Sequence, residues 1–394
     1  MKPVTIVGAG FSGLTLAREL ARLKVPVRIV ESSSHAGGLI FTRQHTHGMV
    51  ETAANALLAD DNVEELLHDL GLHTAKAGEF RSRRYIFWNH PARWPLDGFS
   101  SLKLLKLLLP GNQPLPEETI QQWAERTVDQ QFANRLLAPA LRGVYAGDSY
   151  RLSASLTVAP LLSAGKKSRG SVAPQDGMGQ LIIALSEYLV SEGVRFEYGQ
   201  KFGLDSEPRT PTVLATSAWA AGEILATAYP ELSQQLGRCE SLPLISVTAF
   251  FPHQEGELKG FGCLFPEAQG FRSLGVLFND CIFEGRSKLR SETWIFGGAL
   301  NPAVMELSDE QLKANLLTDR EHLMNKATSP LSLHITRWPR ALPHYTVDWE
   351  KSLRELNVPA PLYLHGNYLG DLGLARILKR SKSLALTIRN QYGS

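Results

Sequence analysis

Cysteine is scarce in this chain: three in 394 residues, Cys239, Cys263 and Cys281, odd in number and far apart. No C-x-x-C occurs, so neither a disulfide framework nor a zinc site is expected, and a reducing cytoplasm fits. Charge of one sign is missing as well. The 41 basic and 39 acidic side chains leave a formal +2, which gives no case for a nucleic-acid partner. No apolar run reaches the ~18 residues that a spanning helix needs. The first strand-like run starts so close to Met1 that no signal peptide is expected. The chain has no G-x-S-x-G, no H-E-x-x-H, no convincing triad, no internal repeat and no low-complexity tract. Its eleven histidines do not cluster at ligand spacings, and His45 and His47 read as a solvent-facing pair, so no metal is expected. At this length the chain suits two or three domains.

What is present begins at residue 3. Val4, Ile6 and Val7 form a β-branched apolar run, the mark of a buried parallel strand. Gly8, Gly10 and Gly13 follow as G-x-G-x-x-G, and Leu14, Ala17, Leu20, Ala21 and Leu23 then recur at helical spacing. A second apolar strand, Val27–Val30, ends in Glu31. Gly8 permits the strand-to-helix turn, Gly10 lets a pyrophosphate approach the backbone, and Gly13 lets the helix pack on the strand. Amides at the helix start suit a phosphate, and Glu31 suits the ribose of an adenosine. Strand, helix and acid together make this a dinucleotide site rather than a bare glycine turn.

Further along, residues 40–55 read as two strands joined at His47-Gly48. Asp61 and Glu64 read as a capping box for a helix over 63–70 that Gly71 stops. Residues 81–96 give a charged start, an aromatic strand and a proline-flanked turn. Residues 101–109, SLKLLKLLL, suit either an interfacial helix or a core helix with two snorkelling lysines. Helical segments run over 116–141, and residues 142–153 read as a glycine-bearing turn. A helix is expected over 181–189, strands over 194–198 and 212–215, alternating strands and turns over 242–300, and a helix capped by Ser308 and Gln311. The chain closes as strand, glycine turn and helix.

Gly37 and Gly38, in HAGGLIFT, resemble the second glycine pair of the FAD-dependent amine oxidase superfamily. That resemblance implies FAD rather than a nicotinamide. Four later stretches resemble the protoporphyrinogen oxidase family: LAPALRGVYAGDSYRLS (137–153), GFGCLFPE (260–267), LGVLFNDCIFEGR with WIFGGAL (274–286, 294–300), and RWPRALPHY (337–345). Their order and spacing hold over nearly the whole chain. The C-terminal turn LGDLGLARILKRS and the short stretch near 199–212 depart from the family's usual pattern.

The resemblance implies an α/β fold: a discontinuous Rossmann-like FAD-binding domain (1–75, 166–218 and 355–394), a mixed-sheet substrate domain (76–97 and 219–354) and a helical, membrane-contacting subdomain (98–165). It implies FAD contacts at Gly8, Gly10, Phe11, Ser12, Gly13, Glu31, Ser32, Gly37, Gly38, Leu39, Phe202, Gly366, Leu372, Gly373 and Leu374. It implies a tetrapyrrole held by Phe261, Gly262, Leu264 and Ile295, with Gly143 beside the ring and Arg84 on a propionate, since a guanidinium fork pairs bidentately with a carboxylate. The activity implied is oxidation of protoporphyrinogen IX or coproporphyrinogen III by dioxygen in haem synthesis, without a general base. The expected location is cytoplasmic, with peripheral contact at the inner face of the membrane. Two alternatives stand beside it: an amine oxidase or desaturase-like enzyme, and a flavin-binding partner of haem synthesis without turnover. Oligomeric state is left open.

Overall fold

The computed structural model describes residues 3–94, 106–107, 109, 111–159 and 169–392. Most of the 101–109 stretch, and with it the question of membrane contact, lies outside the described residues. Among the described residues, no helix is long and apolar enough to cross a membrane.

Two sheets organise the chain. The first has five strands in the order Leu362–Leu364, Thr212–Leu214, Val4–Val7, Val27–Val30 and Arg195–Glu197, and every neighbouring pair is parallel. Its strands therefore come from the beginning, middle and end of the chain. Val4–Val7 is buried at all four positions, as a strand covered on both faces must be. One face carries the helices Phe11–Arg22, Met178–Ser191 and Leu374–Tyr392. The other packs Val7, Leu214 and Leu362 against Trp349, Tyr345 and the helix Ala218–Leu225.

The second sheet has seven strands in the order Ser332–Pro343, Ser241–Phe251, Arg290–Gly297, Gly275–Phe278, Gly262–Leu264, Arg84–Trp88 and His90–Arg93. All neighbours are antiparallel except Gly262–Leu264 with Arg84–Trp88. Side chains alternate between its faces. Ile245, Val247, Cys263, Val276, Trp294 and Phe296 point into a core closed by Leu312, Leu316 and Leu323 of the helix Asp309–Met324. On the opposite face Leu244, Ser246, Leu264, Leu277 and Ile295 are only half-buried.

Several local expectations hold. The hairpin is Thr42–His45 with Gly48–Glu51, and Ser308 with Gln311 forms a capping box on Asp309–Met324. Others are corrected. The helix Asp61–Asp69 is capped one residue earlier, by Asp60, whose side chain accepts from the Val63 amide. The aromatic hairpin turns at Asn89, in left-handed conformation, and Pro91 lies inside the second strand. Residues 142–145 are not a turn: they end the helix Ala138–Tyr145, which Ala146 stops in the left-handed conformation. His47 is half-buried, its Nδ1 bonded to Ser332 Oγ at 2.7 Å.

Candidate active site

The turn after Val4–Val7 is built almost entirely of backbone. A Cβ on Gly13 would lie 1.9 Å from the Gly8 carbonyl oxygen, so the helix reaches the strand only because residue 13 has no side chain. Gly10 caps the helix Phe11–Arg22 without any side-chain hydrogen bond, and no acid occupies the first turn. The first amides, at Phe11, Ser12 and Gly13, are left for an anion. Facing them, the Gly37 amide donates to the Ala9 carbonyl at 2.9 Å, and Gly10 and Gly37 form a parallel bridge. A Cβ on Gly38 would meet the Gly10 Cα at 3.4 Å. Gly38 is exposed and Leu39 half-buried, so the two glycine turns form an open cradle. Its donors and its lack of side chains fit a dinucleotide diphosphate.

Glu31 stands at the rim. Its Oε2 accepts the Ala9 amide at 2.7 Å, and its Oε1 accepts the Ser33 amide at 2.8 Å and the Ser32 hydroxyl at 3.2 Å. A carboxylate offers about four acceptor sites, so capacity for ribose hydroxyls remains. The C-terminal segment approaches from the neighbouring strand: the His365 amide donates to the Leu214 carbonyl at 3.0 Å, and Gly366 follows in tight packing with Tyr368 and Thr216. Leu372 is half-buried, Gly373 is exposed, and Leu374 opens the last helix. Phe202 packs on the cluster behind the parallel sheet that holds Val7 and Leu214.

A buried relay joins the first and last helices. His365 Nε2 meets Ser381 Oγ at 2.9 Å, Ser381 Oγ meets Thr15 Oγ1 at 2.9 Å, and Thr15 donates to the Phe11 carbonyl at 2.7 Å. Burial, with Arg380 acting in the same direction, pushes the His365 imidazole down to about 3, so it is neutral. Its Nδ1 is buried without a hydrogen-bond partner.

Strand register places Arg84, Gly262, Leu264 and Ile295 along the half-open face of the mixed sheet, whereas Phe261, just before its strand, packs against the cluster of the cofactor-side helices. Leu264, Gly275 and Ile295 stand opposite one another across three strands, and Gly262 stands opposite Arg84. The Arg84 guanidinium lies 5.0 Å from the centre of the Phe261 ring. Gly143, on the helix that crosses this face, is exposed, and a Cβ there would lie 2.3 Å from Leu264 Cδ2. The row of Leu264, Gly275 and Ile295 is thus apolar and bordered by a cation.

The connection to the cofactor side runs through Trp338 Nε1, which donates to the Thr52 carbonyl at 2.8 Å, and through Glu51. The Glu51 carboxylate accepts from Thr42 Oγ1, the Met178 amide and Arg286 Nη1 at 2.7, 2.9 and 2.9 Å. Burial raises its pKa, against the pull of those donors. Sequence reading did not single out Glu51 or Arg286. Nor did it single out Arg135 and Arg142, two half-buried arginines on the helical stretch over the wall, although their spacing of seven in the apolar run RLLAPALR was a signal.

Other chemistry finds little purchase. The three cysteines are buried and free; burial pushes Cys239 up to about 12 and raises Cys263 and Cys281 as well, which leaves no reactive thiolate. Among the described residues, no group of three or more His, Cys, Asp or Glu is placed to hold a metal ion. A cleft of about 770 Å³, lined by Pro3, Lys24, Arg28 and Arg195, opens at the amino ends of the parallel strands. Open α/β sheets bind nucleotides at the carboxyl ends, where the glycine cradle lies.

Comparison with known proteins agrees with this arrangement. A family model described as flavin containing amine oxidoreductase matches residues 11–203. The chloroplastic protoporphyrinogen oxidase of Nicotiana tabacum is 24% identical, covering 96% of this chain and 84% of its own length. Coproporphyrinogen III oxidase of Bacillus subtilis is 22% identical, covering 90% of each chain. The solved structure of cyclohexylamine oxidase from Brevibacterium oxydans has a TM-score of 0.77 at 17% identity, covering 100% of this chain and 99% of that one. That structural likeness shows the fold; the family match and the cradle agree on FAD as the cofactor.

Proposed function

We propose that this chain, an FAD-dependent oxidase of the flavin-containing amine oxidase superfamily with sequence similarity to protoporphyrinogen oxidases, oxidises a porphyrinogen to the porphyrin with dioxygen as acceptor, in haem synthesis. The observation that carries this reading is the half-open apolar row of Leu264, Gly275 and Ile295, with Arg84 at its rim. A porphyrinogen is broad, mostly apolar and acidic at its edge, which is what such a wall can hold.

Bound FAD would supply the acceptor for a hydride leaving a meso carbon. The chain's own work is binding and orientation. Phe11, Ser12 and Gly13 would donate their amides to the diphosphate, with Gly8, Gly10, Gly37 and Gly38 leaving room for it. Leu39 would lie beyond them, Glu31 and Ser32 would take the ribose, and Gly366, Leu372, Gly373, Leu374 and Phe202 would complete the FAD contacts. Phe261, Leu264 and Ile295 would press on the faces of the ring, Gly143 and Gly262 would give it clearance, and Arg84 would hold a carboxylate.

The test is aerobic turnover of protoporphyrinogen and coproporphyrinogen, read by porphyrin fluorescence and oxygen uptake, with primary amines in parallel. Porphyrin should form from a porphyrinogen, and the amines should give no oxygen uptake. A fully FAD-loaded protein that oxidises neither porphyrinogen sinks the proposal.

A further inference from the structure

The helical stretch over residues 130–145 contains a π-helical segment, Ala133–Leu137, and lies on the wall, with Gly143 against Leu264. Arg135 and Arg142 are seven residues apart, hence on one side of it and roughly 10 Å apart along its axis. Both are half-buried. The Arg135 guanidinium lies 4.9 Å from the centre of the Trp88 ring, and its Nε is buried with no acceptor. Arg142 forms no ion pair among the described residues; burial lowers its pKa, and only the fields of Glu267 and Asp148 pull it back. A donor withdrawn from water without an acceptor is costly. Arg135 holds such a donor, and Arg142, without an ion pair among the described residues, adds a second guanidinium seven residues on; the two together point to an anion that the chain itself does not supply.

Their place on the wall gives that anion a geometry. Arg84 begins the strand that Trp88 ends, and this strand runs parallel to Gly262–Leu264. Glu267, just beyond Leu264, is therefore at the same end as Trp88. Arg84 on the Phe261 ring marks one end of the wall, and Arg135 with Arg142 marks the other. Four strand residues separate the two ends, roughly 13 Å. The apolar row of Leu264 and Ile295 lies between.

We propose that Arg142, assisted by Arg135, is a second carboxylate anchor opposite Arg84, so that the site selects a porphyrinogen with acid side chains on opposed edges. This rests on the porphyrinogen reading above. A tetracarboxylate such as coproporphyrinogen has an acid on every pyrrole and can engage both ends of the wall. A dicarboxylate with its acids on neighbouring pyrroles, as in protoporphyrinogen, engages one end.

The experiment compares the FAD-loaded protein with Arg142→Gln, Arg142→Lys and Arg135→Gln. KM and kcat are measured for both porphyrinogens, and dissociation constants for both oxidised porphyrins by tryptophan fluorescence quenching. A charge-assisted pair predicts roughly a tenfold or greater rise in KM and Kd for the tetracarboxylate in Arg142→Gln. kcat and flavin content should hold, values for the dicarboxylate should hardly move, and Arg142→Lys should recover part of the loss. Should Arg142→Gln not fold, Arg135→Gln carries the same comparison with a smaller rise. A parent protein that oxidises both porphyrinogens without preferring the tetracarboxylate overturns the inference and leaves the porphyrinogen reading standing. So does a preference that survives in both glutamine variants. A parent protein that binds neither porphyrin overturns the porphyrinogen reading, and the anchor with it.

Discussion

Val4 and Ile6 of the parallel sheet have no exposed surface, and helices or loops cover both sides of their strand; in the mixed sheet Trp294 and Phe296 are equally buried, yet Ile295 between them is half-open. The parallel sheet offers its binding groups at an end, where the chain turns, so they are backbone amides and missing side chains. The mixed sheet offers a face, so its groups are side chains drawn from strands distant in sequence. The cofactor site should therefore be sensitive to an added Cβ and the substrate site to the chemistry of a side chain. One face of the mixed sheet can change without disturbing the other.

The sharpest break in this comparison comes from two glycines. In Gly13→Val the side chain meets the Gly8 carbonyl, which belongs to a buried turn and cannot give way. The expected cost exceeds the ~1–3 kcal/mol of ordinary overpacking, and the folded protein should be lost along with its flavin. In Gly10→Val the new Cβ has no neighbour nearer than 4.0 Å, the Gly38 Cα. That variant should fold and melt as the FAD-stripped parent does while failing to bind FAD, because its side chain occupies the diphosphate site. Circular dichroism and flavin absorbance separate the two. A Gly10→Val protein that keeps full flavin removes the cradle from the cofactor site.

Next in size are two changes on opposite faces of the mixed sheet. Glu292 is fully buried and accepts from Arg290 Nε at 2.9 Å, Arg320 Nε at 3.0 Å and Trp294 Nε1 at 3.1 Å. Glu292→Ala leaves the buried Arg320 without its carboxylate and Arg290 with only Asp280 at 3.7 Å, and should cost about 3–5 kcal/mol. The surviving folded protein should keep its KM. Leu264→Ala, on the half-open face, should cost less stability than the ~2–5 kcal/mol of a buried leucine. It should lower kcat by roughly tenfold or more at full FAD occupancy, since a small misplacement of the ring slows the chemical step. If Glu292→Ala changes KM while stability holds, the division of labour between the faces is wrong.

The same contrast explains what the sequence made legible. Gly8, Gly10, Gly13, Glu31, Gly37 and Gly38 lie within 31 residues and act through local turns, so spacing located the first turn and Glu31, and the family resemblance added the Gly37-Gly38 pair. Arg84, Gly143, Gly262, Leu264 and Ile295 are brought together by strand register and by one helix crossing, neither of which has a local signature; only the family resemblance proposed them. Residues 142–145 were misread because Gly143 invites a turn. The helix tolerates this glycine, and Leu264 leaves no room for a Cβ. Asp60 and Asp61 are adjacent acids, either able to cap, and only the backbone conformation chose Asp60. Arg142 stayed invisible because an arginine near the end of a helix ordinarily faces water.

The smallest expected effect tests how the cofactor side is held together. His365 has no exposed surface and links the first and last helices through Ser381 and Thr15. Its folded pKa is depressed to about 3 by burial, with Arg380 adding to the effect and the Ser12 carbonyl opposing it. In the unfolded chain an imidazole titrates near the ordinary value of about 6.5. Above that pH both states are neutral at this position and the full stability is present. As the pH falls from about 6.5 toward 3, the unfolded chain binds a proton that the folded chain refuses. Stability is then lost by at most about 1.4 kcal/mol per pH unit from this group. In His365→Asn that proton is absent, so urea midpoints between pH 7 and 4 should fall less steeply than in the parent. At pH 7 the variant should be weaker by only about 1 kcal/mol, the value of the Ser381 hydrogen bond. The two curves should therefore converge and then cross as the solution is acidified; curves that stay parallel from pH 7 to 4 would mean that His365 is not held neutral in the folded protein.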